Sequence, residues 1–200
     1  MSDTTPRIAP LAVDEWDDDA VAALRDAFGV TAADRLLAGD RPMPNVLATL
    51  LRHPALTGPF LSYNNVLLRA PALEPRWREL MVLRVASRTR SIYEWAQHVR
   101  MADRCGITAA EIEAVADRET GAGAWSAIEA DLLAATDQLL DHYCVDDATW
   151  ARLADRLEVR QLLELTFVVG TYACLAMVFN TVGVALDAEL ADAAGTLPRP

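Results

Sequence analysis

The sequence contains no lysine, so all 18 basic residues of the 200-residue chain are arginines. Without lysine the chain cannot form a Schiff base with a carbonyl substrate, and it lacks the lysine of a Walker-type phosphate loop. The 29 acidic residues outnumber the basic ones and give a net charge of −11. Because this charge repels nucleic-acid phosphates and anionic membrane surfaces, we expect neither as a partner.

Cysteine is also scarce. The three cysteines, Cys105, Cys144 and Cys174, are odd in number and form no Cys-x-x-Cys pair. This excludes a dithiol redox centre and a zinc knuckle, and it favours a reducing compartment. Residues 1–10 are polar and lack the apolar core of a signal sequence. We therefore expect a cytoplasmic protein.

Alanine and leucine dominate the composition, and both are favourable in helices. No alternating strand pattern of useful length is present, so the sequence predicts an all-α protein. The helices most relevant to function are predicted at about 75–88, 91–105 and 159–186. Capping-box spacing, a hydroxyl residue followed by Glu three positions later, marks helix starts at Ser91 and Thr108.

The predicted organisation is an N-terminal helical extension over residues 1–40, a main helical domain over 41–190 and a tail over 191–200. A linker is predicted at 119–124, where glycine and alanine dominate. The stretch Leu165–Leu186 carries no charge and is long enough to span a bilayer. Polar residues interrupt it and no basic flank orients it, so we interpret it as a long buried helix of a helical assembly.

Glu79 is the first candidate for chemistry. On the helix that begins near Pro75, it shares a face with three apolar residues, Val82, Leu83 and Ala86. A carboxylate on such a face is costly when it is ionised and unpaired. We therefore expect either a raised pKa or a partner from elsewhere in the chain. A salt bridge to Arg76 is the simpler alternative.

Glu94 and His98 form the second candidate, because they lie one turn apart at the edge of an apolar helix face. A carboxylate beside an imidazole fixes the tautomer and tunes the pKa, as general acid–base chemistry requires. Two structural alternatives stand beside this interpretation. Glu94 could complete the capping box with Ser91, and His98 could be a core histidine bonded to a carbonyl.

A metal site is a weaker interpretation of the same residues. Carboxylate-bridged sites in helical bundles use Glu-x-x-His twice, whereas here the spacing is one residue longer and occurs once. We therefore expect no metal and no cofactor. Tyr93 points away from the apolar face toward arginines, and is expected to be a packing or interface residue that could reach a site between subunits.

Three segments together match a known pattern. These are ELMVLRVA from Glu79, SIYEWAQH from Ser91 to His98, and Gly106-Ile-Thr. The combination resembles the carboxymuconolactone decarboxylase superfamily, which includes the alkylhydroperoxidase D-like proteins, over about residues 41–187. The resemblance implies an all-helical fold, assembly as a trimer or hexamer, and a site near a subunit interface. It would also make the uncharged final helix part of the oligomer core.

The resemblance also distinguishes two branches. The redox branch has a Cys-x-x-Cys where this chain has Ser91 and Glu94, with a His four residues after the second Cys and a Glu nineteen before that His. His98 and Glu79 match the last two positions, and Tyr93 replaces a His. Serine and glutamate supply neither a low-pKa thiolate nor a resolving thiol. The decarboxylase branch has a Glu four residues before its His, as Glu94 and His98 do here.

The resemblance therefore predicts a cofactor-free general acid–base enzyme, similar to a decarboxylase, that acts on a small carboxylated lactone or carbonyl compound. In this hypothesis His98 is the acid or base, Glu94 orients it, and Glu79 is a second proton carrier with a raised pKa. Arg84 or a backbone amide at the Ser91 helix start would stabilise developing negative charge. The alternatives are a peroxidase that uses Cys105 and a non-catalytic binding or assembly protein.

Overall fold

The computed structural model describes residues 5–39, 42–117, 125–194 and 197, which fold as helices without a β-strand. The all-α prediction is confirmed. The helices are α1 Asp18–Phe28, α2 Val30–Leu37, α3 Asn45–Leu50, α4 Pro54–Arg69, α5 Pro75–Thr89, α6 Ile92–Ala102, α7 Ala109–Ala116, α8 Ala127–His142, α9 Asp147–Ala154, α10 Val159–Val182 and α11 Ala191–Ala194. Short 3-10 turns cover Val13–Glu15, Asp103–Cys105 and Ala188–Leu190.

The chain forms two compact units. The first contains the described residues up to Ala70 together with Thr181–Asp187, and the second contains Pro71–Asn180 and the residues from Ala188 onward. The predicted boundary between residues 40 and 41 and the predicted linker at 119–124 lie outside the described residues, and so do five of the ten residues of the predicted tail.

In the first unit, α1 packs against α4. Asp17 begins α1 by accepting a hydrogen bond from the amide of Ala20 (2.8 Å). A side chain at Gly58 of α4 would stand 3.4 Å from Cβ of Ala23, so the small residue allows the close approach of the two helices. The segment Thr181–Asp187 belongs to the same unit, and the side chain of Asn45 holds it by donating a hydrogen bond to the carbonyl of Ala185 (3.1 Å).

The second unit is built around α5, which packs against α6, α7 and α8. Every residue of α5 from Arg78 to Ser87 is buried. Its apolar side chains join Trp95 of α6 and Leu133 of α8 in one hydrophobic cluster. A helix buried on all sides must place its polar residues against partners, and this requirement positions the candidate site.

A tight turn reverses the chain between α5 and α6. Arg90 adopts a left-handed conformation (φ 57°), and the amide of Ser91 donates to the carbonyl of Ala86 (3.0 Å). The two helices therefore run antiparallel, so the first half of α5 faces the second half of α6. This register brings Glu79 opposite His98.

Of the three helices predicted above, the one over 75–88 agrees with α5 to within one residue, and the other two end earlier than predicted. The helix predicted over 91–105 is α6 followed by a 3-10 turn, which ends at Gly106 in the left-handed region (φ 69°). The helix predicted over 159–186 ends at Val182 because Gly183 is also left-handed (φ 71°). The predicted capping box at Thr108 is confirmed at the start of α7.

The α10 helix is long and apolar enough to cross a membrane by length and composition, and half of its most apolar window is buried inside the chain (50%). Its buried face includes Tyr172 and Phe179. The predicted burial therefore holds for one face of the helix. The other face exposes large apolar side chains, namely Val159, Leu163, Phe167 and Met177.

Candidate functional site

Glu79 and His98 form a buried pair. Oε2 of Glu79 lies 2.6 Å from Nδ1 of His98, and the two side chains are 0% and 7% exposed. The expectation that Glu79 takes a partner from elsewhere in the chain is confirmed. With Glu79 ionised, Nδ1 donates to the carboxylate, and the other ring nitrogen, Nε2, carries the lone pair of the neutral imidazole.

Arg78 occupies the second oxygen of Glu79. Its Nη2 and Nε atoms lie 3.2 Å and 3.3 Å from Oε1. Burial alone would raise the pKa of Glu79, but His98 and then Arg78 favour the ionised form and leave the pKa below its usual value. The predicted raised pKa at Glu79 is therefore wrong, because two basic groups outweigh the desolvation.

Arg76 is not the partner of Glu79. It pairs with Glu129 of α8 (2.6 Å) and with Glu111 of α7 (2.5 Å). Both glutamates also belong to capping boxes. Arg76 thus ties the starts of two helices to α5, and the alternative of an Arg76–Glu79 salt bridge is wrong.

Glu94 is the buried carboxyl with a raised pKa. It is 2% exposed, and neither of its oxygens has a hydrogen-bond partner among the residues that the structure describes. Burial raises its pKa well above the usual value, and the Ser91 hydroxyl opposes this without offsetting it. The Ser91 hydroxyl lies close enough to Glu94 to lower its pKa, but the two groups do not meet the geometry of a hydrogen bond. Burial therefore favours the neutral carboxylic acid form of Glu94.

The sequence suggested that Glu94 orients His98 and that Glu79 has the raised pKa, and the structure reverses these two roles. The prediction that Glu94 orients His98 is wrong, because Nδ1 is bonded to Glu79. Helical spacing places Glu94 and His98 on the same side of α6, but α5 packs against that side and presents Glu79 directly to the ring. The orienting carboxylate comes from α5, and the protonated carboxyl from α6.

Tyr172 of α10 is a further member of the site that the sequence did not reveal. Its ring meets that of His98 edge to face, with centroids 5.0 Å apart and an interplanar angle of 86°. The residue is 3% exposed. Burial, then the negative charge of Glu79, raises the pKa of Tyr172, so the phenol stays protonated. The available signal was a tyrosine inside an uncharged helix, since a buried hydroxyl needs a polar partner.

The predicted cap at Ser91 is absent, as its side chain makes no capping hydrogen bond. The serine is fully buried, and its hydroxyl oxygen has no partner within the described ranges. Tyr93 is buried, and its ring contacts that of Phe179 edge to face at 5.5 Å. The expectation of a packing role for Tyr93 agrees with this contact.

Arg84 lies on a different face of α5 from Glu79, because five residues correspond to about 140° around a helix. Its Nη1 pairs with Asp137 of α8 at 2.9 Å. The arginine that contacts the Glu79–His98 pair is Arg78. The prediction that Arg84 stabilises charge beside this pair is therefore not supported by its position.

Cys105 is half-buried at the end of α6. Burial raises the pKa of its thiol, Glu79 raises it further, and Arg78 partly opposes both. These influences make the thiolate less available, whereas a peroxidase requires it. Over the described part of the chain, no group of three or more His, Cys, Asp or Glu residues is arranged to hold a metal ion.

Comparison with known proteins gives one family match. The sequence profile of the Carboxymuconolactone decarboxylase family matches residues 54–138. No curated protein matches the chain significantly. The matched segment contains Glu79, Glu94 and His98, but not Tyr172.

Similar solved structures cover nearly the whole chain. The alkylhydroperoxidase AhpD core of an uncharacterized peroxidase-related protein from Ralstonia eutropha has a TM-score of 0.72 at 19% identity, over 94% of this chain and 96% of that one. A cysteine-to-alanine variant of the debrominase Bmp8 with 2,3,4-tribromopyrrole has a TM-score of 0.71 at 13% identity, covering 99% and 100%. Apo Bmp8 gives 0.70 at 13%, covering 96% and 97%. At these identities the likeness establishes the fold alone.

Proposed function

We propose that this chain, whose residues 54–138 match the Carboxymuconolactone decarboxylase family, is a cofactor-free enzyme that moves protons on a small carboxylated lactone or carbonyl compound. The observation that carries this proposal is the contrast between two buried glutamates. Glu79 contacts His98 and Arg78, which favour its ionised form, while burial favours the protonated form of Glu94, whose oxygens have no hydrogen-bond partner among the described residues. Carboxyl groups held in opposite protonation states are typical of acid–base sites.

The Glu79–His98 pair supplies the base. Ionised Glu79 keeps Nδ1 of His98 protonated and stabilises the imidazolium when Nε2 accepts a proton. Arg78 balances the charge of Glu79, so the Arg78–Glu79–His98 group is neutral while the imidazole is neutral and becomes positive only while Nε2 holds a proton. Such a pair can exchange a proton with a group beside a carbonyl.

Glu94 supplies the acid. In a decarboxylation, the bond between the substrate carbon and its carboxylate breaks, CO2 leaves, and the electron pair is delocalised onto the adjacent carbonyl as an enolate. The proton of Glu94 then moves to the carbon, and Glu94 recovers a proton from water. The balance is one proton taken from solvent for each CO2 released, without an oxidant or reductant.

Peroxidase chemistry is the alternative suggested by relatives, one of which is described as peroxidase-related. The residues of this chain argue against it. Ser91 and Glu94 hold the positions of the two cysteines of the redox branch, and the thiol of Cys105 has a raised pKa. A thiol held in its protonated form is a weak nucleophile toward peroxide.

We also propose that the chain is cytoplasmic and self-associates through the exposed apolar face of α10. Leu163, Phe167, Cys174 and Met177 repeat at spacings of four, seven and three residues along this face and are exposed. A single exposed stripe of this kind on an otherwise buried helix is typical of a helix–helix interface. A trimer or hexamer is the assembly that the superfamily resemblance implies.

Turnover of carboxylated lactones tests the proposed function. We expect CO2 release by the wild type and a decrease in kcat of roughly 100- to 10,000-fold in His98→Gln, the range for loss of a general acid or base. The exposed histidine variant His142→Gln is the matched control, with turnover equal to wild type. Release of CO2 at the same rate by His98→Gln would refute the role of His98, and no release by the wild type from any carboxylated lactone or β-keto acid would refute the decarboxylase.

A further inference from the structure

We propose that the hydroxyl of Tyr172 binds the carbonyl oxygen of the substrate and stabilises the enolate that forms on it. This inference rests on the proposed function and deepens it, because it identifies the group that receives the negative charge. It also names the substrate class more narrowly, as a compound whose carbonyl oxygen lies within reach of both Tyr172 and His98.

The position of Tyr172 is the first argument. Its ring packs edge to face on His98 at 5.0 Å, so α10 contributes a wall of the same site as α5 and α6. The residue is 3% exposed. A tyrosine buried to this extent places its hydroxyl in the interior, where that group can donate a hydrogen bond to an oxygen of a bound ligand.

The neighbouring polar groups give the second argument. The hydroxyl oxygen of Ser91 and both carboxyl oxygens of Glu94 are also buried and, among the described residues, without a hydrogen-bond partner. Orphaned buried polar groups are rare in folded proteins, because each one gives up its hydrogen bonds to water without gaining others. Their presence at the start of α6, the helix that carries His98, indicates a site whose partners come from a ligand.

The third argument concerns charge. An enolate oxygen needs hydrogen-bond donors that remain protonated, and an environment without excess negative charge. Burial favours the protonated forms of Tyr172 and Glu94, and the charge of Glu79 is matched by Arg78 at 3.2 Å. Arg84, the alternative donor, is engaged by Asp137 on another face of α5. Tyr172 is therefore the side-chain donor best placed for the enolate oxygen.

The test uses 4-nitrophenolate as a probe, because its anionic oxygen is planar and delocalised like that of an enolate. Binding to the full-length protein is measured by calorimetry for the wild type and for Tyr172→Phe, which retains the ring against His98. The exposed tyrosine variant Tyr143→Phe is the matched control. Loss of one hydrogen bond to a charged oxygen should weaken binding by about 10- to 100-fold in Tyr172→Phe and leave Tyr143→Phe unchanged.

Turnover of a carboxylated lactone gives a second readout. Since the hydrogen bond strengthens as charge develops, Tyr172→Phe should lose roughly 100-fold in kcat with little change in KM. Equal binding of 4-nitrophenolate by the wild type and Tyr172→Phe would overturn the inference. Failure of the proposed function would look different. The wild type would bind 4-nitrophenolate more tightly than Tyr172→Phe does, but it would turn over no carboxylated substrate.

Discussion

Oε2 of Glu79 and Nδ1 of His98 lie 2.6 Å apart, although nineteen residues separate them in the chain. The antiparallel pairing of α5 and α6 about the turn at Arg90 produces this contact. The contact fixes Nδ1 as the nitrogen of His98 that meets Glu79, and the proposed function assigns the proton exchange to Nε2. It also assigns the two glutamates of the site to different tasks, from which the following predictions derive.

Glu79→Gln tests the ionised glutamate through acid stability. The folded state lowers the pKa of Glu79 below 4.5. Its contribution to the free energy of unfolding is therefore fully present above the unfolded pKa, and is lost as pH falls through the folded pKa. We expect Glu79→Gln to be less stable than wild type at pH ~7 by roughly 1–3 kcal/mol, and the difference to shrink below pH ~4.5.

Urea unfolding at several pH values measures this effect. Glu113→Gln is the control, because Glu113 is exposed on α7 and forms no ion pair with another described residue. A stability difference between wild type and Glu79→Gln that stays constant from neutral to acid pH would mean that Glu79 is not held ionised by the fold.

Glu94→Gln should have the opposite dependence on pH. The folded state raises the pKa of Glu94 well above 4.5. The protonated carboxyl therefore stabilises the fold fully below the unfolded pKa, and this contribution is lost as pH rises through the folded pKa. Between those two pKa values, the stability of the wild type should fall relative to Glu94→Gln by about 1.4 kcal/mol per pH unit. Urea unfolding between pH ~4 and ~9 measures the slope, and a zero slope would contradict a buried neutral acid.

Cys105 should react slowly with thiol reagents. Burial and the charge of Glu79 raise the pKa of its thiol, whereas Cys144 and Cys174 are exposed. Since the thiolate is the reactive form, iodoacetamide near neutral pH should modify Cys105 last. Peptide mass spectrometry during the reaction gives the order. Peroxide consumption that disappears in Cys105→Ser would favour the peroxidase alternative.

Self-association through α10 should be sensitive to charge on its exposed face. Met177→Glu places a carboxylate among the exposed apolar residues of that face and should reduce the oligomer mass measured by light scattering. Glu158→Gln, a change at an exposed residue before the helix, is the control. An unchanged mass for Met177→Glu would exclude this face as the interface.

Much of the fold follows from local sequence signals. Turn residues, helix-start prolines and the Thr108 capping box act within a few residues of the chain, so they predicted most helix bounds. The Ser91 box failed because burial of α6 against α5 outweighed the local cap. Ser91 and Glu94 have the right spacing but are directed into the interior instead.

The sequence predicted three residues of the candidate site, Glu79, Glu94 and His98, but not how they contact one another. Spacing along α6 placed Glu94 and His98 on one side of the helix, but it could not reveal that α5 presents Glu79 to the same ring. The pKa directions depend on that contact, and so the roles of the two glutamates were exchanged. Tyr172 comes from α10, more than seventy residues beyond His98, and only tertiary packing places its ring there.

The most direct test of the account is the titration of the two glutamates by NMR, with ¹³C-labelled glutamate carboxyls assigned through Glu79→Gln and Glu94→Gln. The account predicts that the signal missing from Glu79→Gln titrates below pH 4.5, and that the signal missing from Glu94→Gln titrates well above it. Two signals that titrate together near the ordinary value, or in the reverse order, would contradict the division of tasks on which the proposed chemistry depends.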